Sequence, residues 1–359
     1  MAFTNIDNPA EHFNTALYTG NGASSPGGSG STQTISSLDF SPGLVWIKDR
    51  GQSGHDNCLA DTIRTAPNLL VSNSSVAQIT DSSDGFTAFT SSGFTLGDNG
   101  AGTQSLELNK SGNTFVSWNW KAGGSASSNS DGSITSSVSA NTDAGFSMVT
   151  WTGTGATATI GHGLGAAPKM IFIKSVTGAS GWRVYHDGIG ATKALVLDTD
   201  AAAATSTDYF NDTAPTSSVF TVKANSTNDN TATMIAYCFA EKSGYSQFGR
   251  YTATASTNGP FLYGGFKPKL LMVKRDNSAA PWSVVDAGRN LFNPVNLELK
   301  WDTNGAVNNT TDGCDFLSNG VKLRDAADMN SGSGDTFVYM MLAETPFVTA
   351  GTKAAGTAR

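Results

Sequence analysis

The sequence predicts an all-β chain of three tandem, diverged β-sandwich or barrel-like units with minimal helix. Two observations carry that expectation. Glycine numbers 40 among 359 residues and charged residues are only 14% of them, with Ser, Thr, Asn and Ala abundant, a balance that suits short strands joined by tight turns. A set of landmarks also recurs three times in the same order, and internal recurrence is a stronger guide to architecture than any single window.

The clearest landmark is a Pro followed by an apolar run that ends in Lys: Pro42 to Lys48 (PGLVWIK), Pro168 to Lys174 (PKMIFIK) and Pro268 to Lys274 (PKLLMVK). An apolar run capped by a charge reads as a strand buried on both faces. Upstream stands an aromatic followed by Thr, at Tyr18, Trp151 and Tyr251, which precedes the Pro by 24, 17 and 17 residues. The longer first gap holds the Gly/Ser-rich insertion GASSPGGSGST.

Downstream, W-x-V occurs at Trp182 with Val184 and at Trp282 with Val284, and D-x-x-R at Asp61 with Arg64 and at Asp286 with Arg289. Short alternating stretches follow, SSGFTL from Ser91, SSVFTV from Ser217 and SNGVKL from Ser318. Such period-two patterning belongs to strands with one wet face. A long apolar strand closes each unit, and its first aligned residue (Phe115, Met234, Phe337) lies 73, 66 and 69 residues after the Pro.

These spacings divide the chain into residues 1–122 (a short N-terminal helix plus unit 1), a polar Gly/Ser-rich linker at 123–145, unit 2 at 146–242, unit 3 at 243–347 and a C-terminal arm at 348–359. The helix is expected from Asn8 as cap, Pro9 at the first helical position and Glu11 beyond it, running one or two turns into EHFNTAL.

A formal net charge of −7 argues against nucleic acid as a partner, because phosphate binding needs a surplus of Lys and Arg. Cys58, Cys238 and Cys314 are odd in number and far apart, which does not describe a disulfide framework and points to assembly in a reducing cytoplasm. The opening MAFTNIDNPAEHF lacks the basic start and apolar core of a signal peptide. No apolar run approaches the roughly 20 residues that span a bilayer, so membrane insertion is not expected.

The sequence marks no catalytic residue. His12, His55, His162 and His186 show none of the spacings that set two metal ligands on one helical face, and no metal or cofactor is expected. His162 reads as a turn residue and His186 as a polar strand end. The pairs Asp61 with Arg64 and Asp286 with Arg289 read as local ties rather than a grip on a ligand. A glycosidase needs two facing carboxyls, and Asp198, Asp200, Asp208 and Asp212 show no marked pair. Their loop and the one from Asp302 are rich in oxygen ligands, but neither has the spacing of a calcium loop. The Gly-rich TGTGAT from Thr152 lacks the Lys-Ser/Thr ending of a phosphate loop. Aromatics in the strands, Trp46, Trp118, Trp120, Phe172, Tyr237 and Phe239, are expected in the core. Trp301, Tyr209 and Phe210 are read as loop residues and are the candidates for a glycan-binding face.

The phrases MAFTNID, TALYTGNG, LDFSPGLVWIKDR, NSDGSITSSVSAN, GHGLGAAPKMIFIK, DTAPTSSVF and YCFAEKSGYSQFG resemble a family of uncharacterised repeat proteins in tailed bacteriophages of marine bacteria and cyanobacteria, usually labelled as virion structural or tail-fibre proteins. The resemblance covers nearly the whole chain and brings no catalytic residues with it. It implies a non-enzymatic virion protein, assembled in the host cytoplasm among other virion proteins, in a tail fibre or appendage that attaches to host-surface glycan. A homo-oligomer, with a trimer the usual fibre state, goes with that reading. A capsid decoration or cement protein is the alternative, and a polysaccharide depolymerase stands behind it.

Overall fold

The computed structural model describes residues 4–24, 28–80, 85–98, 106–224 and 226–348, with the main chain alone at 310–312. The protein is all-β, and its helix amounts to short turns such as Thr207–Phe210. Residues 1–122 hold β1 (Phe13–Thr19), β2 (Gln33–Ile35), β3 (Leu44–Asp49), β4 (Cys58–Asp61), β5 (Asn68–Val71), β6 (Ile79–Thr80), β7 (Phe86–Thr90), β8 (Gly93–Leu96) and β9 (Thr114–Trp120). The next segment holds β10 (Ser127–Asn129), β11 (Ser136–Asn141), β12 (Phe146–Thr152), β13 (Ala158–Gly161), β14 (Met170–Ser175), β15 (Arg183–His186), β16 (Lys193–Ala194), β17 (Ala204–Thr205), β18 (Val219–Val222) and β19 (Thr233–Phe239). The last holds β20 (Ser246–Thr252), β21 (Phe261–Tyr263), β22 (Phe266–Arg275), β23 (Ser283–Asp286), β24 (Val295–Lys300), β25 (Asn308–Leu317), β26 (Gly320–Leu323) and β27 (Thr336–Pro346).

Three main sheets share one connection order: β1-β9-β3-β4, β12-β19-β14-β15 and β20-β27-β22-β23. In each, the opening strand pairs antiparallel with the closing strand, which pairs with the apolar run. The register agrees as well. Tyr18 lies opposite Phe115, Trp151 opposite Met234 and Tyr251 opposite Phe337, while Lys48, Lys174 and Lys274 face Val116, Ile235 and Val338.

The apolar runs are buried along their whole length. Alternate residues of each run point to opposite faces. Trp46, Phe172 and Met272 face inward, where all three sheets meet in one core. The outward faces are covered separately: Val45 and Ile47 pack beneath the β2-β8-β7 sheet, and Ile171 and Ile173 beneath β13-β18. The first two main sheets are thus each one layer of a sandwich, whereas the third runs on through β24, β25, β26 and β21 as one eight-stranded sheet, and the three main sheets meet around a common centre. The spans expected as separate units therefore share their largest hydrophobic contact.

Two local expectations change. The segment 123–145, expected as a linker, carries β10 and β11, and β11 pairs with β12 along five residues from Ser137 to Asn141. An uncovered edge strand exposes unpaired amides and carbonyls, and this Ser-rich stretch covers the β12 edge. Its own hydroxyls are satisfied by Ser136 Oγ donating to Gly161 O at 2.8 Å and Ser139 Oγ to Gly124 O at 2.7 Å. The expected N-terminal helix is one 3-10 turn, Pro9–Glu11, and Phe13 begins a strand. Asn8 contacts Glu11 by its side chain (3.0 Å) without capping a main-chain amide. Pairing with β9 while burying Phe13, Ala16 and Tyr18 outweighs the capping pattern. The expected C-terminal arm, 348–359, lies outside the described residues apart from Val348.

Candidate functional site

The recurring landmarks of the sequence build contacts between sheets. At one end of the runs, the interior lysines reach across. Lys48 Nζ donates to Thr303 O (2.8 Å), Lys174 Nζ to Ser75 O (2.9 Å) and Lys274 Nζ to Asp200 O (2.7 Å). The first sheet therefore holds the third, the second holds the first, and the third holds the second, a closed cycle. All three side chains are buried. Burial penalises their charge and lowers Lys48 to about 7 and both Lys174 and Lys274 to about 8. Carbonyl acceptors compensate part of that cost.

The indoles run the same cycle. Trp182 Nε1 donates to Val71 O at 2.9 Å and Trp282 Nε1 to Val196 O at 2.8 Å. At the corresponding place in the first sheet stands Asn57, whose Nδ2 donates to Trp301 O at 2.9 Å.

At the other end sit the Asp–Arg pairs. Asp61 and Arg64 are 2.6 Å apart and buried, as are Asp286 and Arg289. Each also reaches a neighbouring sheet: Tyr237 Oη donates to Asp61 Oδ2 (2.7 Å) and Trp118 Nε1 to Asp286 Oδ2 (3.1 Å). In the second sheet His186 takes the position and bonds Tyr339 O at 3.0 Å. Gly188 N donates to its Nδ1, so the Nε2 carries the hydrogen. Burial lowers His186 to about 4, leaving a neutral imidazole.

The aromatic residues nominated for ligand binding lie elsewhere than expected. Trp301 follows directly on β24 and is wholly buried, stacked on Trp46 with ring centroids 4.1 Å apart. It fills the centre beside Asn57, where the other sheets supply an indole from their own strand. Phe210 is buried under the second sheet against Tyr185, and Tyr209 is half-buried with Arg183 over its ring. The remaining nominated acids act locally: Asp198 accepts from Trp182 N (2.8 Å) and Asp208 faces Lys223 (3.4 Å).

A buried polar cluster that the sequence did not mark joins Asp49, His55 and Glu107. His55 Nδ1 lies 2.6 Å from Asp49 and its Nε2 lies 3.0 Å from Glu107. Burial works against the Asp49 charge, but His55, the amides of Gly51 and Gln52, and Asn113 together hold its carboxyl below the usual range. Both imidazole nitrogens are engaged. Among the described residues no group of three His, Cys, Asp or Glu is placed to hold a metal ion, and no helix is long and apolar enough to cross a membrane. Cys58, Cys238 and Cys314 are all buried.

An open cleft of about 400 Å3 lies where β21 and β27 end beside the start of β20. Tyr263 is 63% exposed and Phe347 39% exposed, and both line it together with Glu241 and Gln247. The tight turn Gly264–Gly265 between β21 and β22 shapes the floor, with Gly265 at φ +71°, a conformation that glycine adopts without strain. Phe347 N donates to Gly265 O at 3.2 Å and so anchors the strand end. Glu241 Oε2 accepts from Gln247 Nε2 (2.9 Å) and Phe248 N (3.2 Å), which fixes a carboxylate at the rim. Exposed rings beside a fixed carboxylate and an amide can take the faces and hydroxyls of a sugar. The sequence trace of this site is the phrase FLYGG, an aromatic pair run into two glycines.

No curated protein and no solved structure matches the chain. Residues 8–346 match the profile described as a domain of unknown function, DUF7483, and the chain belongs to that family.

Proposed function

We propose that the chain is a structural protein of a tailed-phage virion, built from three diverged copies of one unit and placed in a tail fibre or appendage, where it attaches to host-surface glycan without chemistry. The observation that carries the attachment is the cleft of Tyr263 and Phe347 with Glu241 at its rim. The phrase-level resemblance supplies the virion setting. The histidines support a binding role over catalysis, because His55, His162 and His186 each use both ring nitrogens in structural contacts. In an oligomer, repeated clefts would multiply weak contacts.

The test is binding of the purified chain to host-envelope glycans, compared with the Tyr263→Ala variant. Binding by the parent chain and its loss in the variant, with unchanged melting, is the expected result; equal binding by both removes the cleft from the proposal. New reducing ends in the same incubation would establish a depolymerase instead.

A decoration or cement role is the second reading, and the loop tip favours it. Leu291 is 66% and Phe292 77% exposed, an apolar pair suited to docking on another virion protein. Antibody labelling of intact particles separates the two, since a capsid position excludes the tail assignment.

A further inference from the structure

The three interior lysines occupy corresponding positions, but their partners differ in kind. Beside their inter-sheet bonds, Lys174 and Lys274 donate to the main-chain carbonyls of Ser180 and Ala280. Lys48 instead donates to a side-chain amide, with its Nζ 2.7 Å from Oδ1 of Asn57. A nitrogen bonded to an amide oxygen sits roughly 3–3.5 Å from the carbonyl carbon, the separation from which intramolecular additions start. Both residues are wholly buried. The amide is held from its other side, since Asn57 Nδ2 donates to Trp301 O at 2.9 Å and Thr303 O at 3.0 Å.

A carboxyl lies near the pair. Asp302 stands between those two carbonyl residues in sequence; its Oδ1 accepts from Trp282 N at 3.0 Å, and its Oδ2 is buried with no hydrogen-bond partner among the described residues. Its charge, after that of Asp49, favours the protonated form of Lys48, against the stronger effect of burial. Burial raises the Asp302 carboxyl and lowers Lys48 to about 7, so near neutral pH a sizeable share of Lys48 is the nucleophilic free amine. Trp46, on the same face of β3, stacks on Trp301, an apolar wall that keeps out competing water.

We propose that Lys48 and Asn57 join in an isopeptide bond that the chain forms on itself, closing the hairpin of β3 and β4. The free amine of Lys48 adds to Cγ of Asn57, forming a C–N bond. The bond from Cγ to Nδ2 then breaks and ammonia leaves. Asp302 relays the proton from Nζ to the departing nitrogen. One amine and one amide become one amide and one ammonia, so no oxidant, cofactor or second substrate is required.

The experiment is intact-mass measurement of the purified full chain, followed by digestion and fragment sequencing. The expected result is a chain lighter by one ammonia, with a branched peptide joining Lys48 to Asn57. A chain at its sequence mass, with separate Lys48 and Asn57 peptides, overturns the proposal. So does an ammonia loss that maps elsewhere or to a succinimide at Asn57. Because the parent chain itself gives the answer, no variant has to fold. As a further check, Asp302→Asn should slow the mass loss after synthesis while leaving Lys48 and Asn57 in place; an unchanged rate removes Asp302 from the step.

Discussion

The corner of the second sheet and those of the first and third solve one problem with different chemistry. Each corner must place a polar group against a neighbouring sheet inside a dry core. At Asp61 and Asp286 a carboxylate does so, and its charge is matched by Arg64 or Arg289 at 2.6 Å. At His186 a neutral imidazole meets a single carbonyl and needs no counter-ion. The position demands a side chain that hydrogen-bonds across the seam, and it accepts a charge only where an arginine sits three residues on.

The difference can be broken most forcefully at an ion pair. Arg64→Ala leaves Asp61 buried without its cation, and a loss of about 3–5 kcal/mol is expected. Chemical denaturation measures it; a loss no larger than that of His186→Ala, expected at about 1–3 kcal/mol for an orphaned carbonyl, would show that the two kinds of corner are equivalent.

Acid should find the second corner. An unfolded histidine titrates near 6.5, whereas folded His186 titrates at about 4. Between those values the unfolded chain binds the extra proton, so stability falls as pH drops from about 6.5 to about 4, by about 3 kcal/mol from this residue. Denaturation midpoints across that range, taken with and without His186→Gln, should show a shallower fall in the variant.

A smaller effect should follow from Trp282→Phe. The ring volume largely remains, but Val196 O loses its donor, at a cost of about 1–3 kcal/mol. Thermal melting reads it, and the same change at Trp182 should match it because the two indoles do equivalent work across successive seams. The smallest stability effect belongs to Tyr263→Ala, within about 0.5 kcal/mol for an exposed side chain. Circular dichroism melting checks this; a larger loss would make Tyr263 a packing residue rather than a binding one.

Much of the strand framework was legible. Period-two alternation placed Phe94 and Leu96, Phe220 and Val222, and Val321 and Leu323 inward, and the structure buries all six. The apolar runs announced strands covered on both faces, because their alternate residues have no polar side to offer water. The segment 123–145 was not legible as strand, since Ser and Gly say little about pairing when the reason to pair is a neighbour's open edge. Trp301 misled for a related cause: polar sequence after β24 looked like loop, while its indole fills the space left where the first sheet has Asn57 in place of Trp.

The candidate cleft was scarcely legible at all. Tyr263, Phe347, Glu241 and Gln247 come from three separate stretches, and none carries a motif. Asn109, Asn228 and Asn330 make the same point within the fold. Each is buried and holds the turn after an opening strand, its Oδ1 accepting from the amides of Asn21, Thr154 and Thr254 at 2.8 to 3.3 Å. Lone asparagines before a closing strand gave no sign of that role.

Local pattern alone settles which segments are strands and which side of each is apolar, because side-chain alternation is a property of the extended backbone. It also shows that the same landmarks recur. Which sheet each inner face meets, and therefore that three sheets share a single core tied by Lys48, Lys174 and Lys274, is decided only in three dimensions. Hydrophobic burial has no direction and rewards any dry partner; the choice among partners comes from shape and from hydrogen bonds between residues distant in sequence.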